Sequence, residues 1–296
     1  MSDVEIPAFV NKDAGTADAA SEALGKAGGF RVERIAPADL ADRVRSAIAD
    51  GARRILVAGG DGSIATAAAT MRGTTCELAI LPGGTLNHLA QDLGLPSDLT
   101  ESARIAASGK RRCLDVAEVN GRLFLNTSSV GAYVTYVRTR EGLEPKLGYW
   151  LASIVAGIRI LFRLRSFRVV MEIDGVTHEF ITPLVFIGVG ERELRMPSLG
   201  ARVPNGRRGL HVIVVKSRSA GRTLALAFAA VARGVQAAAR TPAMQSFIVD
   251  RVRIQPRAGR VAGRIGLDGE IVSMAPPLDY QFVPDALTVI VGDDVA

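Results

Sequence analysis

The chain has 296 residues, 48% hydrophobic and 22% charged, which excludes a disordered or low-complexity protein and suits one large domain or two smaller ones. Two cysteines, Cys76 and Cys113, rule out a disulfide scaffold and lack metal or redox spacing, so both read as buried free thiols in a reducing cytoplasm. The net charge of +6 is uneven: residues 1–115 hold 13 Lys and Arg against 15 Asp and Glu, whereas residues 116–296 hold 23 against 15. The basic character therefore belongs to the second half, which suits either an anionic partner or a solvated, arginine-rich surface.

Asp3 and Glu5 stand where a secretory leader would be basic, and no apolar core follows them. A short apolar run, Ile6–Val10, breaks at "NKDAG". Asp18–Gly28 reads as a helix, Phe30–Ala36 as a strand, and Ala38–Gly51 as a helix with a terminal glycine. Arg54–Ala58 is the next strand, followed by a glycine loop and an alanine-rich helix, and Glu77–Pro82 is another strand running into a second glycine loop. This rhythm predicts a doubly wound, mostly parallel, Rossmann-like α/β domain over residues 1–115.

After Asp115 the pattern changes to alternation around two-residue turns: Asn120-Gly121, Asp174-Gly175 and Asp268-Gly269. Residues 116–296 are expected to form a mainly antiparallel β-sandwich, with the last strand, about 286–292, free to return to the first domain. Leu147–Leu164 and Thr223–Ala239 approach membrane length, but Arg159, Arg163 and Arg233 argue against spanning helices.

The chemistry concentrates in two loops. Gly60-Asp61-Gly62-Ser63-Ile64-Ala65 satisfies the dinucleotide pattern G-x-G-x-x-A between a strand and a helix, yet no acid follows at the expected distance and no Walker-type P-loop occurs. Backbone amides at a helix start attract phosphate, and an acid among them cancels that attraction. A divalent cation between Asp61 and phosphate oxygens removes the conflict and points to phosphoryl rather than hydride transfer. The plain alternative is that Asp61 caps its own helix. "LPGGTLNHLAQDLGLP" (Leu81–Pro96) is a second loop of the same kind, readable also as an ordinary turn capped by Thr85 or Asn87, and Asn11–Gly15 is a third.

"GGDGS", "LPGGTLNHLAQDLGLP", "NTSSVGAYVTYV", "LGYW" and "LDGE" come in the order and spacing of the diacylglycerol kinase catalytic family, which the chain resembles over roughly residues 8–292. The resemblance implies an ATP-binding domain like those of NAD kinase and phosphofructokinase, a β-rich substrate domain, and catalysis in the cleft between them. It places Asn11, Gly15, Gly59, Gly60, Asp61, Gly62, Ser63, Gly84, Thr85 and Asn87 at the nucleotide, with Asp61 holding Mg²⁺. Lys12 replaces a usual proline, Ser63 a threonine, and His88 a usual acid.

On the acceptor side, Asp268 and Glu270 read by spacing alone as part of a hairpin turn. The resemblance makes them jointly the carboxylates that activate a hydroxyl. The family's second-domain Mg²⁺ segment corresponds to "VPNGRRGLHVIV", where Asn205 and Arg208 stand in place of carboxylates, so that metal site is expected to be absent. His88, His178 and His211 are scattered and suggest no metal cluster. The expected activity is an ATP- and Mg²⁺-dependent lipid kinase with diacylglycerol as default acceptor. The alternatives are a kinase of another lipid alcohol or small metabolite, and a catalytically weak lipid- or nucleotide-binding protein. A cytoplasmic protein is expected, transiently peripheral at the inner membrane face through basic segments such as Arg159–Arg168. No nucleic acid and no stable protein partner are expected, and a homodimer is left open.

Overall fold

The computed structural model describes residues 5–85, 87–131, 166–193, 201–216, 244–257 and 263–292. The readings of "LGYW", of the two long apolar stretches, of residues 132–137 and of most of the Arg159–Arg168 cluster lie outside them. The chain divides into two compact units, Met1–Val116 with Val283–Ala296, and Ala117–Phe282.

The first unit opens with β1 (Ile6–Asn11), α1 (Ala17–Ala27) and β2 (Phe30–Ile35). A 3₁₀ turn at Pro37–Asp39 leads into α2 (Leu40–Ala49), followed by β3 (Arg54–Gly59), α3 (Asp61–Met71), β4 (Glu77–Pro82), α4 (His88–Asp92) and α5 (Leu99–Ser108). The strands lie parallel in the order β2-β1-β3-β4, with the end of the chain's last strand beside β4 through Thr288 and Val289. Strand β4 is buried along its whole length, as a parallel strand covered on both faces must be. Helices α1 and α5 pack together, as do α2 and α3. Leu24, Leu56 and Leu81 are fully buried in the shared core, each stabilising the unit by about 1.5–3 kcal/mol. Because β1 is followed by β2 on one side and by β3 on the other, the strand order reverses between β1 and β3. In open α/β sheets ligands bind in the crevice at the carboxyl ends of such a pair.

Helix α5 carries no glycine-loop signal in the sequence. It starts where the Asp98 carboxylate accepts from the Glu101 backbone N–H at 2.8 Å, a side-chain N-cap.

The second unit contains the end of β5 (Lys110–Val119), then β6 (Arg122–Phe124), β7 (Thr127–Gly131), β8 (Phe167–Ile173), β9 (Val176–Thr182), β10 (Leu184–Val189) and β11 (Leu210–Val215). β12 (Met244–Val249), β13 (Arg251–Arg257), β14 (Arg264–Leu267), β15 (Glu270–Ser273) and the start of β16 (Leu278–Val291) follow. Two antiparallel sheets result: β16-β13-β8-β9 and β12-β11-β10-β7-β14-β15. Val169, Met171 and Ile254 of the first face Val185, Ile187 and Val212 of the second in one apolar cluster, so the unit is a β-sandwich. Alternation along β13, with every second residue buried, is the sequence pattern of a strand with one wet face. All three two-residue turns have both residues at positive φ: 48° and 78° at Asn120-Gly121, 49° and 77° at Asp174-Gly175, 45° and 90° at Asp268-Gly269.

One expectation needs correcting. Cys76 is buried, and its thiol is pushed up to about 11 by that burial, but Cys113 is exposed because it lies on the outward-facing side of β5. Among the described residues no helix is long and apolar enough to cross a membrane.

Candidate functional site

In the first unit the carboxyl ends of β1, β3 and β4 bring the three loops together. Asn11 closes β1; its Oδ1 accepts from the Asp13 backbone N–H at 3.0 Å, and its Nδ2 donates to Ser63 Oγ at 3.2 Å. Ser63, buried on α3, is thereby tied to the Asn11–Gly15 loop as an acceptor. Thr16 Oγ1 donates to the Gly83 carbonyl at 3.0 Å, and the Gly83 N–H donates to the Gly59 carbonyl at 2.9 Å. Thr16 is absent from the sequence-derived list; it precedes α1 as a cap residue should, yet its side chain serves a loop 67 residues away.

The glycines permit close approach of backbone to backbone. A Cβ on Gly84 would stand 2.6 Å from the Gly60 Cα, and one on Gly83 would stand 2.8 Å from Thr16 Oγ1. Gly15 faces open space, so crowding gives no reason for its identity. Asn87, at φ 49°, pins the second loop: its Oδ1 accepts from the Gly84 N–H and its Nδ2 donates to the Gly84 carbonyl, both at 2.8 Å. Thr85 and His88 are exposed on the same loop.

Asp61 does not cap its own helix. Gly60 occupies the N-cap position of α3 without a side-chain bond, and Asp61 is the first helical residue. Its Oδ1 instead accepts a long hydrogen bond, 3.4 Å, from the Leu89 backbone N–H on α4. The half-buried carboxylate thus lies at the start of α3, where the Ser63 and Ile64 N–H groups already donate to the Gly60 carbonyl at 3.0 and 3.1 Å. Among the described residues no three His, Cys, Asp or Glu side chains cluster as a metal site. Asp61 would supply one hard oxygen donor to a bound Mg²⁺.

In the second unit Asp268 occupies the β14–β15 turn, and its side chain reaches back to the segment before β7. Its Oδ2 accepts from the Leu125 N–H at 2.7 Å, and its Oδ1 from the Asn126 and Thr127 N–H groups at 2.8 and 3.0 Å. Three backbone N–H groups thus engage both oxygens of the Asp268 carboxylate. Glu270, first residue of β15, is exposed.

The carbonyls of the same segment are also taken. Arg192, only 3% exposed, donates to the Asn126 and Val189 carbonyls at 2.9 and 2.8 Å, and Arg202 donates to the Leu125 carbonyl at 3.3 Å. The Arg192 backbone N–H donates to His211 Nδ1 at 2.9 Å, while His211 Nε2 lies 2.8 Å from Ser246 Oγ. His211 therefore carries its proton on Nε2, and burial lowers its pKa from 6.5. Asn205, in the segment where the resemblance would place carboxylates, forms a turn at φ 54°, and Arg208 is exposed, whereas Arg192 is buried. Its only sequence trace is Gly188, where a Cβ would stand 2.4 Å from the Arg192 Cγ.

Three glycine-rich loops with an acid at a helix start thus meet at the carboxyl ends of a doubly wound sheet. Residues 6–119 match the diacylglycerol kinase catalytic domain family. A probable lipid kinase YegS-like protein of Cronobacter sakazakii is 30% identical over 158 residues, 51% of this chain and 52% of that protein. Its counterpart in Pseudomonas syringae pv. tomato is 38% identical over 151 residues, 50% and 48% respectively. The matched part spans about half the length of these curated relatives. A crystal structure from Bacillus anthracis str. Sterne, titled as a diacylglycerol kinase, covers 99% of both chains with a TM-score of 0.77 and 22% identity, which shows a shared fold.

Proposed function

We propose that this protein is an ATP- and Mg²⁺-dependent lipid kinase that transfers the γ-phosphate to a lipid hydroxyl, with diacylglycerol as default acceptor and phosphatidic acid as product. The observation that carries the reading is Asp61 at the first helical position of α3, inside a loop cluster otherwise built to receive phosphate. The match of residues 6–119 to the diacylglycerol kinase catalytic domain supports the same chemistry.

Gly59–Ser63 and Thr85 would hold the phosphates through backbone N–H groups and hydroxyls. Asn11, Gly15, Gly84 and Asn87 would shape the cradle around them. Asp61 would hold Mg²⁺, which when bound neutralises charge on the phosphate oxygens. Glu270 would accept the proton of the acceptor hydroxyl, since the Asp268 carboxylate is occupied by three backbone N–H groups. The excess of basic residues in the second half supports a transient, salt-sensitive encounter with an anionic membrane surface that presents the acceptor.

The test is incubation of the full chain with γ-labelled ATP and vesicles holding diacylglycerol in anionic phospholipid. Label in the lipid extract that vanishes with EDTA supports the reading. Saturable ATP binding without labelled lipid, across vesicles of other lipid alcohols as well, would favour a lipid- or nucleotide-binding protein instead.

A further inference from the structure

We infer that Asp268 is a positioning residue, stapling the β14–β15 hairpin to Leu125–Thr127 and so fixing the direction in which Glu270 leaves it. The inference rests on the reading of Glu270 as the proton acceptor.

Turn chemistry does not explain this aspartate. An Asp-Gly turn needs positive φ at both positions, and Asp174-Gly175 meets that need with an exposed aspartate. Asp268 has the same backbone conformation, yet both its oxygens are spent on three N–H groups between 2.7 and 3.0 Å, more than 140 residues away in sequence. The pairing is reciprocal, because the Asp268 N–H donates to the Thr127 carbonyl at 2.8 Å.

The hairpin needs the staple. Among the described residues β15 is the outermost strand of its sheet, and β14 pairs with β7 through Gly266 with Ser129 and Leu267 with Ser128. That ladder holds Leu267, opposite Glu270, and ends there, so the Asp268-Gly269 turn from which Glu270 leaves is fixed by the Asp268 contacts. The anchor point is itself rigid. Arg192 and Arg202 grip the carbonyls of Asn126 and Leu125, and the Arg192 backbone is tied to His211. A fixed segment, a charged staple and a two-residue reach place Glu270. A displacement of about 1 Å at a reacting group can cost on the order of 10²-fold in rate.

The experiment compares wild type, Asp268→Ala, Asp268→Asn, Glu270→Gln and the double variant Asp268→Ala/Glu270→Gln, with ATP and diacylglycerol vesicles. Asp268→Ala should lower kcat by about 10- to 100-fold with an unchanged KM for ATP, since the cradle of the first unit is untouched. Asparagine retains the oxygen that serves Asn126 and Thr127, so Asp268→Asn should recover part of the loss. The double variant should be no slower than Glu270→Gln alone, because Asp268 acts through Glu270. The residual rate of Asp268→Ala should keep the acid limb of the wild-type pH profile, and Glu270→Gln should lose it.

A second readout needs no acceptor. Amide hydrogen exchange should quicken across residues 264–273 and 125–127 in Asp268→Asn and stay unchanged in β8 and β13. Wild-type exchange in the hairpin, wild-type kcat in Asp268→Ala, additive losses in the double variant, or loss of the acid limb in Asp268→Ala would each overturn the inference. Full activity of Glu270→Gln would instead overturn the reading of Glu270 as base.

Discussion

The Asp61 carboxylate accepts from the Leu89 backbone N–H, 28 residues away, so the acid of the first glycine loop is oriented by the helix that follows the second. That contact can be kept while the charge is removed. Asp61→Asn retains an oxygen toward Leu89 and loses the anionic donor proposed for Mg²⁺. The expected result is a folded protein whose kcat falls by about 10²–10³-fold, the range seen when one electrostatic contact to transferring charge is deleted. Thermal unfolding and lipid phosphorylation measured on one preparation check both halves of this statement.

Gly84→Ala should damage the cradle through crowding alone. The new methyl would stand 2.6 Å from the Gly60 Cα and 3.0 Å from Asn87 Oδ1, and backbone cannot yield as a flexible side chain can. A loss of about 1–3 kcal/mol in stability is expected, with weakened ATP binding by calorimetry. Gly15→Ala, which meets nothing within 4 Å, is the control and should leave stability near wild type.

Glu77 anchors the opposite end of the same sheet. Only 5% exposed, it pairs with Arg54 Nε at 2.7 Å and also with Arg111, while Arg54 Nη1 donates to the Ala106 and Ala107 carbonyls at 2.9 and 2.6 Å. Glu77→Gln leaves the half-buried Arg54 guanidinium without its counter-charge, which costs about 1.5–3 kcal/mol. Urea denaturation should show a lower midpoint with an unchanged slope.

His211 makes stability depend on pH. Burial holds its pKa below 6.5, so between the two values the unfolded chain binds the proton and the folded chain does not. The contribution is therefore fully present above pH 6.5 and lost as pH falls toward the folded value. Protonation also leaves Nδ1 unable to accept from the Arg192 N–H. The urea midpoint of wild type should drop more between pH 7.5 and 5.5 than that of His211→Asn, whose carboxylates titrate alike and cancel in the comparison.

Local signals carried most of the fold. Apolar runs broken by glycine loops mark β1, β3 and β4, and the Asn-Gly and Asp-Gly pairs mark three hairpins, because both depend on neighbours within a few residues. Composition favoured burial for Cys113, whose exposure follows from its place on the outward side of β5. What the sequence hides are contacts between distant residues. Nothing near Asp268 announces the Leu125–Thr127 N–H groups, nothing near Thr16 announces Gly83, and Arg192 reads as one more surface arginine until its carbonyl partners are seen. The same limit applies to Asp61: its type and place in the loop suggested a metal-bound phosphate, while its orientation toward Leu89 needed the fold.

The central claim is phosphoryl transfer to a lipid hydroxyl by a cradle that depends on Asp61. Its most direct measurement is lipid-extractable label from γ-labelled ATP, followed with time for wild type and Asp61→Asn on identical diacylglycerol vesicles. The account predicts Mg²⁺-dependent accumulation of phosphatidic acid by wild type, and a rate at least about 10²-fold lower for the variant. Equal rates for the two proteins would contradict it.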